Sequence, residues 1–196
     1  MSNASLSVFL RDLALNARVL RPAQLGIIEG VAAWLVRADI VVLNDDGNTR
    51  DACVLALVHA ISALELPETT APDDKEVYVI RGGLARSLGL SARDLVVPVT
   101  FAAMPDGVTL VDPTAREEEL ALDLYTLVFT AQGAVAGVYK PGGEPLAQDA
   151  MLHAMKLAAK RAGGWFRAAA TAADDAEGGA KAGRMVVPLV ANETEL

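Results

Sequence analysis

The sequence predicts an α/β fold, a two-layer sandwich in which a mixed sheet carries its helices on one face. Three observations predict it. The expected elements run helix, strand, buried helix, four strands, helix. Apolar residues switch between helical spacing and a period of two along the 196 residues. Hydrophobic residues make up 53% of the chain, enough to bury one face of a sheet under helices. Aromatics are only 5%, so aliphatic side chains and alanine must do most of the packing.

The elements follow in order. Ser5–Leu15 reads as an amphipathic helix with Leu6, Phe9, Leu10, Leu13 and Leu15 near helical spacing and Arg11 and Asp12 turned away. Asn16–Gln24 is a connector containing Pro22. From Ala32 to Leu43 the period is two, with Trp34, Val36, Ala38, Ile40 and Val42 on one face, so a long strand is expected. Asn44-Asp45-Asp46-Gly47 is a tight turn, and Asn48 is the expected N-cap of a helix with Asp51 as capping-box partner. Ala52–Leu64 is apolar almost all round, which predicts a largely buried helix ended before Pro67. Glu68–Glu76 is a polar loop, and glycines punctuate Glu76–Leu90. Leu95–Ala103 alternates as a strand, where Pro98 favours an edge or a bulge. Pro105-Asp106-Gly107 turns the chain into Val108–Val111. Glu119–Thr130 and Ala134–Tyr139 form a second hairpin about Gln132-Gly133. Pro145–Arg161 is the last helix, with Leu152, Met155 and Ala159 inward and Asp149, His153, Lys156 and Lys160 on a solvated stripe; Gly163-Gly164 ends or bends it. Ala172–Leu196 is rich in Gly, Ala and acidic residues and is expected to be partly ordered at best.

Charge and composition bound the function. The net charge of −8 makes the chain a poor stand-alone binder of phosphate backbones, although partners can supply positive charge. Cys53 is the only cysteine, which excludes an internal disulfide and a cysteine zinc site and fits a reducing compartment. No apolar run free of charges is long enough to cross a bilayer, and the first residues lack the pattern of a secretion signal.

The chemically suggestive residues have local explanations. Asp45, Asp46 and Asn48 around Gly47 lack the spacing and twelfth-position Glu of a calcium loop, so a turn and cap account for them. Glu117, Glu118 and Glu119 follow a strand, where neighbours point to opposite faces and do not converge as a catalytic or magnesium-binding set. His59 is expected to be a core histidine near Ser62, and Cys53 a small packing residue. Lys140-Pro141-Gly142-Gly143 lacks the Lys-Ser/Thr ending of a phosphate loop and reads as a turn. Lys156, Lys160, Arg161 and Arg167 read as a solvated helix face rather than an RNA contact.

Three motifs in order carry a family resemblance: Asp45-Asp46-Gly47-Asn48 with Asp51-Ala52-Cys53, Val111-Asp112-Pro113-Thr114 with Glu117-Glu118-Glu119, and Lys140-Pro141-Gly142-Gly143 before a last helix. Together they resemble the RNase PH-like subunits of the eukaryotic RNA exosome ring, in particular those with degenerate catalytic positions. The resemblance covers roughly Leu6–Arg161 and begins after the strand-rich first half of the family domain. It implies a two-layer α/β sandwich of RNase PH type over residues 1–170, the C-terminal part of the full family domain, followed by the tail 171–196. It also implies pairing with other RNase PH-like ring subunits and with cap subunits, RNA threaded through the assembled channel, no membrane partner, and residence in nucleus (nucleolus) and cytoplasm.

Active members of that family carry an acidic residue beside a phosphate site. The corresponding position is approximately Glu118, and its setting resembles the inactive members. The arginines that hold phosphate and RNA in active members come largely from regions ahead of this chain. The implied role is a non-catalytic structural subunit that supports 3′-to-5′ RNA processing and degradation, including rRNA processing and mRNA decay, with no catalytic, cofactor-binding or metal-binding residue and no cofactor. Two other readings stay open here: a phosphorolytic 3′-exoribonuclease active only when paired with another RNase PH-like subunit, and an unrelated acidic α/β interaction module.

Overall fold

The computed structural model describes residues 3–17, 19–71, 76–80, 83–88 and 94–177, the last helix with side chains as far as Arg167. Helix α1 (Asn3–Asn16) turns Phe9, Leu10, Leu13 and Ala14 into the core, as helical spacing requires, and leaves Leu15 on the surface. After a 3-10 turn at Pro22–Gln24, strands β1 (Gly26–Ile28) and β2 (Ala32–Ala33) form a small antiparallel ribbon.

The long strand expected over Ala32–Leu43 is a correction: only Ala32 and Ala33 enter a ladder. Alternation tells which face a side chain takes, but a ladder needs a neighbouring backbone. Trp34 and Val36 lie partly buried against the core, whereas Leu35 is 88% and Leu43 94% exposed. Among the described residues, the backbone forms no hydrogen bond between residues 35 and 43; the last is Trp34 N–H to the Leu25 carbonyl, 2.8 Å.

Helix α2 (Thr49–Ser62) buries Arg50, Cys53, Val54, Leu57, Val58 and Ile61. It is less enclosed than its composition suggests, because Ala52, Ala56 and His59 stay on the surface. Two antiparallel ribbons follow, β3 (Glu65–Leu66) with β6 (Arg86–Ser87) and β4 (Thr69–Thr70) with β5 (Tyr78–Val79). Residues 72–75 of the expected loop and residues 81, 82, 89 and 90 of the glycine-punctuated stretch lie outside the described residues.

The main sheet has four strands: β7 (Val96–Ala103), β8 (Thr109–Val111), β9 (Asp123–Thr130) and β10 (Val135–Tyr139). Their order is β10-β9-β7-β8, every pair antiparallel. The two expected hairpins are present, with Gly107 and Gly133 at positive φ in the turns. Between β8 and β9 lies a short helix, α3 (Ala115–Leu120).

Pro98 sits in a central strand, which alternation alone would argue against. Its position explains this. The Thr100 carbonyl accepts the Asp112 N–H at 3.0 Å, so Thr100 and Pro98 direct their backbone polar groups to the β8 side. β8 pairs only with Phe101–Ala103. The donor that proline lacks would therefore face an edge that no strand covers.

The chain has the α/β sandwich architecture of helices on an antiparallel sheet, with two departures in detail from the expected layering. The sheet is antiparallel throughout rather than mixed, and the helices occupy both of its faces. Val96 and Val128 join the core formed by α1 and α2, while Val97, Val99, Phe101, Tyr125, Leu127 and Phe129 join the core under helix α4 (Gln148–Glu177). Both faces of β7 and β9 are apolar enough to need cover, and helices on one face would leave the other wet.

Helix α4 also differs from expectation. It runs through Gly163-Gly164 to Glu177. Each glycine costs a helix only about 1 kcal/mol against alanine, and an alanine-rich flank carries the helix across. Its inward residues are Ala154, Ala158 and Ala162, with Met155 and Ala159 partly buried; Leu152 is exposed. Small side chains every fourth residue let the helix lie close on the aromatic and branched residues of the sheet. Residues 178–196 of the expected tail lie outside the described residues.

Candidate functional site

The first two sequence motifs meet where α2 begins and β8 ends. Gly47, at φ +95°, presses against the backbone of Pro113, Thr114 and Ala115; a Cβ there would lie 2.6 Å from the Pro113 carbonyl oxygen. Only glycine fits this approach. The Ala115 N–H donates to the Asp46 carbonyl at 2.8 Å. Asn48 is left-handed (φ 49°) and precedes α2, but its side chain does not cap the helix. Its amide instead donates to Asp112 Oδ1 at 2.6 Å and Asp51 Oδ2 at 3.0 Å. Asp112 is itself left-handed (φ 60°). The expected capping box at Asn48 and Asp51 is therefore corrected: both side chains are taken by a longer-range tie.

The capping box is at Thr114 and Glu117 instead, where each side chain meets the other residue's backbone N–H. Its signature, Thr-x-x-Glu, was visible in Thr114–Glu117. The acidic run thus lies on a helix, not after a strand. The Thr114 N–H and hydroxyl hold the Glu117 carboxyl below its usual range. Glu118 Oε1 accepts the Asn48 N–H at 2.8 Å.

Below this junction is a buried polar chain that the sequence reading did not single out. Arg50 Nη1 donates to Thr126 Oγ1 at 2.7 Å, and its guanidinium lies 4.7 Å from the centre of the Tyr139 ring. The Thr126 and Thr100 hydroxyls are 2.8 Å apart, and Thr100 Oγ1 donates to Asp51 Oδ1 at 2.7 Å. A hydroxyl has one proton. Thr100 gives its proton to Asp51, so Thr126 must donate to Thr100. The hydrogen bonds run one way, Arg50 to Thr126 to Thr100 to Asp51, from a cation to an anion adjacent in sequence. Asp51 Oδ2 also takes the Thr100 N–H at 3.0 Å, closing the edge that β8 leaves open. Burial raises the Asp51 carboxyl above its usual range against these hydrogen bonds, and burial lowers the Arg50 guanidinium. Threonines at paired positions inside two largely apolar strands were the available signal.

The third motif stands apart. Lys140 forms an ion pair with buried Asp123 at the start of β9 and donates to the Gly142 carbonyl. Gly143, at φ +85°, abuts the Asp123 side chain so closely that a Cβ would overlap it. The motif fixes the exit from β10, as a turn should.

His59 is exposed rather than the core histidine expected. Cys53 is buried, and desolvation pushes its thiol up, as suits a packing residue rather than a nucleophile. The stripe of Asp149, His153, Lys156 and Lys160 is exposed, and Arg161 lies 3.6 Å from Asp112. Asp45 is held low by the Thr49 hydroxyl and the Gly47 N–H. Among the described residues, no group of three or more His, Cys, Asp or Glu is placed to hold a metal ion. The carboxylates of the junction accept from the chain's own donors, and this arrangement locks a turn, a helix start and a strand end together.

Comparison with known proteins agrees with the motifs. Residues 94–161 match the family model of the 3′ exoribonuclease family, domain 2. The chain is 32% identical to the exosome complex component Rrp42 of Methanosarcina acetivorans over 71% of its length and 48% of the relative's. It is 31% identical to the exosome complex component RRP45A of Arabidopsis thaliana over 77% of its length and 50% of the relative's. The chain thus spans about half the length of these curated relatives. A solved structure described as an archaeal exosome core superposes with a TM-score of 0.64 at 25% identity, covering 83% of this chain and 61% of the other. The fold is that of RNase PH-type exosome core structures, and the alternative of an unrelated interaction module ends here.

Proposed function

We propose that this chain, a relative of the RNase PH-like exosome subunits, serves in such a ring as a structural rather than a catalytic member. It would join other ring subunits and cap subunits, and it would meet RNA through the assembled channel while another subunit cleaves. Residence in nucleus and cytoplasm goes with that role. One observation carries the non-catalytic reading: the Glu118 carboxylate, at the position expected to be acidic in active members, accepts the Asn48 N–H and so holds the start of α2. A carboxylate that acts on substrate is directed at the substrate; here Oε1 is directed at the chain's own backbone. Glu117 beside it is used in the same way by the capping box.

The test mixes the chain with an RNase PH-like ring partner, inorganic phosphate and end-labelled RNA. The expected result is no nucleoside diphosphate release above that of the partner alone, with Glu118→Gln leaving release unchanged. Added phosphorolysis that Glu118→Gln abolishes would overturn the proposal in favour of the paired exoribonuclease.

A further inference from the structure

The buried chain of Arg50, Thr126, Thr100 and Asp51 can run in two directions, because a hydroxyl both gives and accepts a hydrogen bond. The two oxygens of Asp51 are not equivalent in this respect. Oδ2 takes two N–H donors, the Asn48 amide and the Thr100 backbone, both at 3.0 Å, and neither can accept in return. Among the described residues, Oδ1 meets the Thr100 hydroxyl alone, at 2.7 Å. A proton arriving at Asp51 therefore finds an acceptor only from Oδ1. Thr100 must then turn its own proton to Thr126, 2.8 Å away. Thr126 already accepts from Arg50 Nη1 at 2.7 Å, so both of its lone pairs are then taken. Its own proton, which had gone to Thr100, is left without an acceptor among the described residues, at a fully buried position.

We propose that this chain is a two-state latch set by one proton: with Asp51 ionised the hydrogen bonds run from Arg50 to Asp51, and a proton on Asp51 Oδ1 reverses both threonine hydroxyls and loosens Arg50 from Thr126. Solvent supplies the proton, two hydroxyls rotate, and no bond other than the new O–H forms or breaks. Arg50 is the side chain through which the start of α2 grips β9, at Thr126, and β10, at the Tyr139 ring. Asp51 grips β7 in either state through the Thr100 N–H. Reversal therefore frees the helix start from one side of the sheet and leaves it held on the other.

Two effects oppose each other at Asp51. Desolvation favours the neutral carboxyl, and the hydrogen bonds of Thr100 and Asn48 favour the ionised one. The surrounding charges are few. Arg50 comes from α2 itself; Glu118 of α3 and Asp112 at the end of β8 reach Asp51 through Asn48. Asp45 of the preceding turn is engaged by Thr49 and Gly47. Helix α1 turns Phe9, Leu10 and Leu13 to the core, β7 and β9 present the two threonines, and Tyr139 of β10 faces Arg50.

Asp51→Asn copies the protonated state. Oδ2 must stay an acceptor for its two N–H donors, so the new amide nitrogen replaces Oδ1 and donates to Thr100. NMR of the folded chain reads the exchange of the Arg50 guanidinium protons with water, all variants at one pH above the carboxylate range. Exchange should be at least about tenfold faster in Asp51→Asn than in the parent, for one weakened bond to a charged group. Adding Thr100→Val to Asp51→Asn breaks the relay, returns the Thr126 oxygen to Arg50 and should restore the parent's rate. Circular dichroism establishes that each variant is folded. In the parent, the Arg50 resonances should move as pH falls with the same midpoint as the Asp51 carboxyl carbon, toward their positions in Asp51→Asn; this holds as a test even if a variant does not fold. Equal exchange in parent and Asp51→Asn overturns the proposal. So does faster exchange that Thr100→Val leaves unrestored, which would reflect only the lost charge, or an Arg50 midpoint different from that of Asp51.

Discussion

The two faces of the four-stranded sheet are covered by helices of different character. The face under α4 is sealed mainly by apolar contact: Val97, Val99, Phe101, Tyr125, Leu127 and Phe129 against Ala154, Ala158 and Ala162, with the rings of Phe101 and Tyr125 stacked 5.2 Å apart. The face under α2 carries, besides its apolar cluster, the directed chain from Arg50 through Thr126 and Thr100 to Asp51. Apolar packing tolerates many volume-conserving rearrangements at modest cost. A hydrogen-bond chain with a charge at each end tolerates one register of β7 on β9 and one position of the α2 start. The first face supplies bulk stability, and the second specifies where the junction of the motifs sits.

Four experiments separate these roles, in order of expected effect. Phe101→Ala empties the fully buried centre of the α4 face and should lower unfolding free energy by about 3–5 kcal/mol, read from the urea midpoint. Asp51→Ala should cost about 2–4 kcal/mol, because it strands the Thr100 N–H and the Arg50 end of the chain. Asp51→Asn keeps an oxygen for Thr100 N–H and Asn48, so most of that loss should not occur.

The same pair has a pH signature. The native Asp51 carboxyl holds its proton to higher pH than the unfolded one, because burial raises it. Its contribution to stability is greatest below about pH 4 and declines as pH rises through the raised native value. Asp51→Asn should flatten that decline in a series of melts; an unchanged slope would show that the carboxyl is not the source.

A reciprocal exchange sharpens the contrast. Thr126→Val and Val99→Thr move a hydroxyl off one face and onto the other, and each should cost about 1–3 kcal/mol for opposite reasons: lost partners in the first, a hydroxyl without partners in the second. If Thr126→Val is neutral, the polar chain does not set the register. The smallest effect belongs to the junction's edge, where Thr114→Ala removes the α3 cap and should cost about 1 kcal/mol in the same denaturant assay.

Legibility in the sequence followed the range of the interactions. Helix α1, the extent of α2 and the hairpins at Pro105-Asp106-Gly107 and Gln132-Gly133 were readable because each is made by neighbours in the chain. The motif at Asp45–Asn48 was legible as a turn, but not the reason Asn48 is there, which is a partner 64 residues away at Asp112. Six-residue α3 is too short for periodicity to reveal, although its capping pattern was on view. The segment from Trp34 to Leu43 has the alternation of a strand and lacks only a neighbour, which no local pattern can provide.

The sequence by itself determined the succession of α1, α2, the two hairpins and α4, the RNase PH kinship of its motifs and the turn chemistry of its glycines, because spacing and backbone sterics act within a few residues. Only the tertiary structure decided that helices take both faces of an antiparallel sheet, that Glu118 serves the backbone of Asn48, and that Arg50 and Asp51, neighbours in sequence, are joined through two threonines on different strands. Those outcomes depend on which buried polar groups find each other once water is removed, and a chain acquires those partners only by folding.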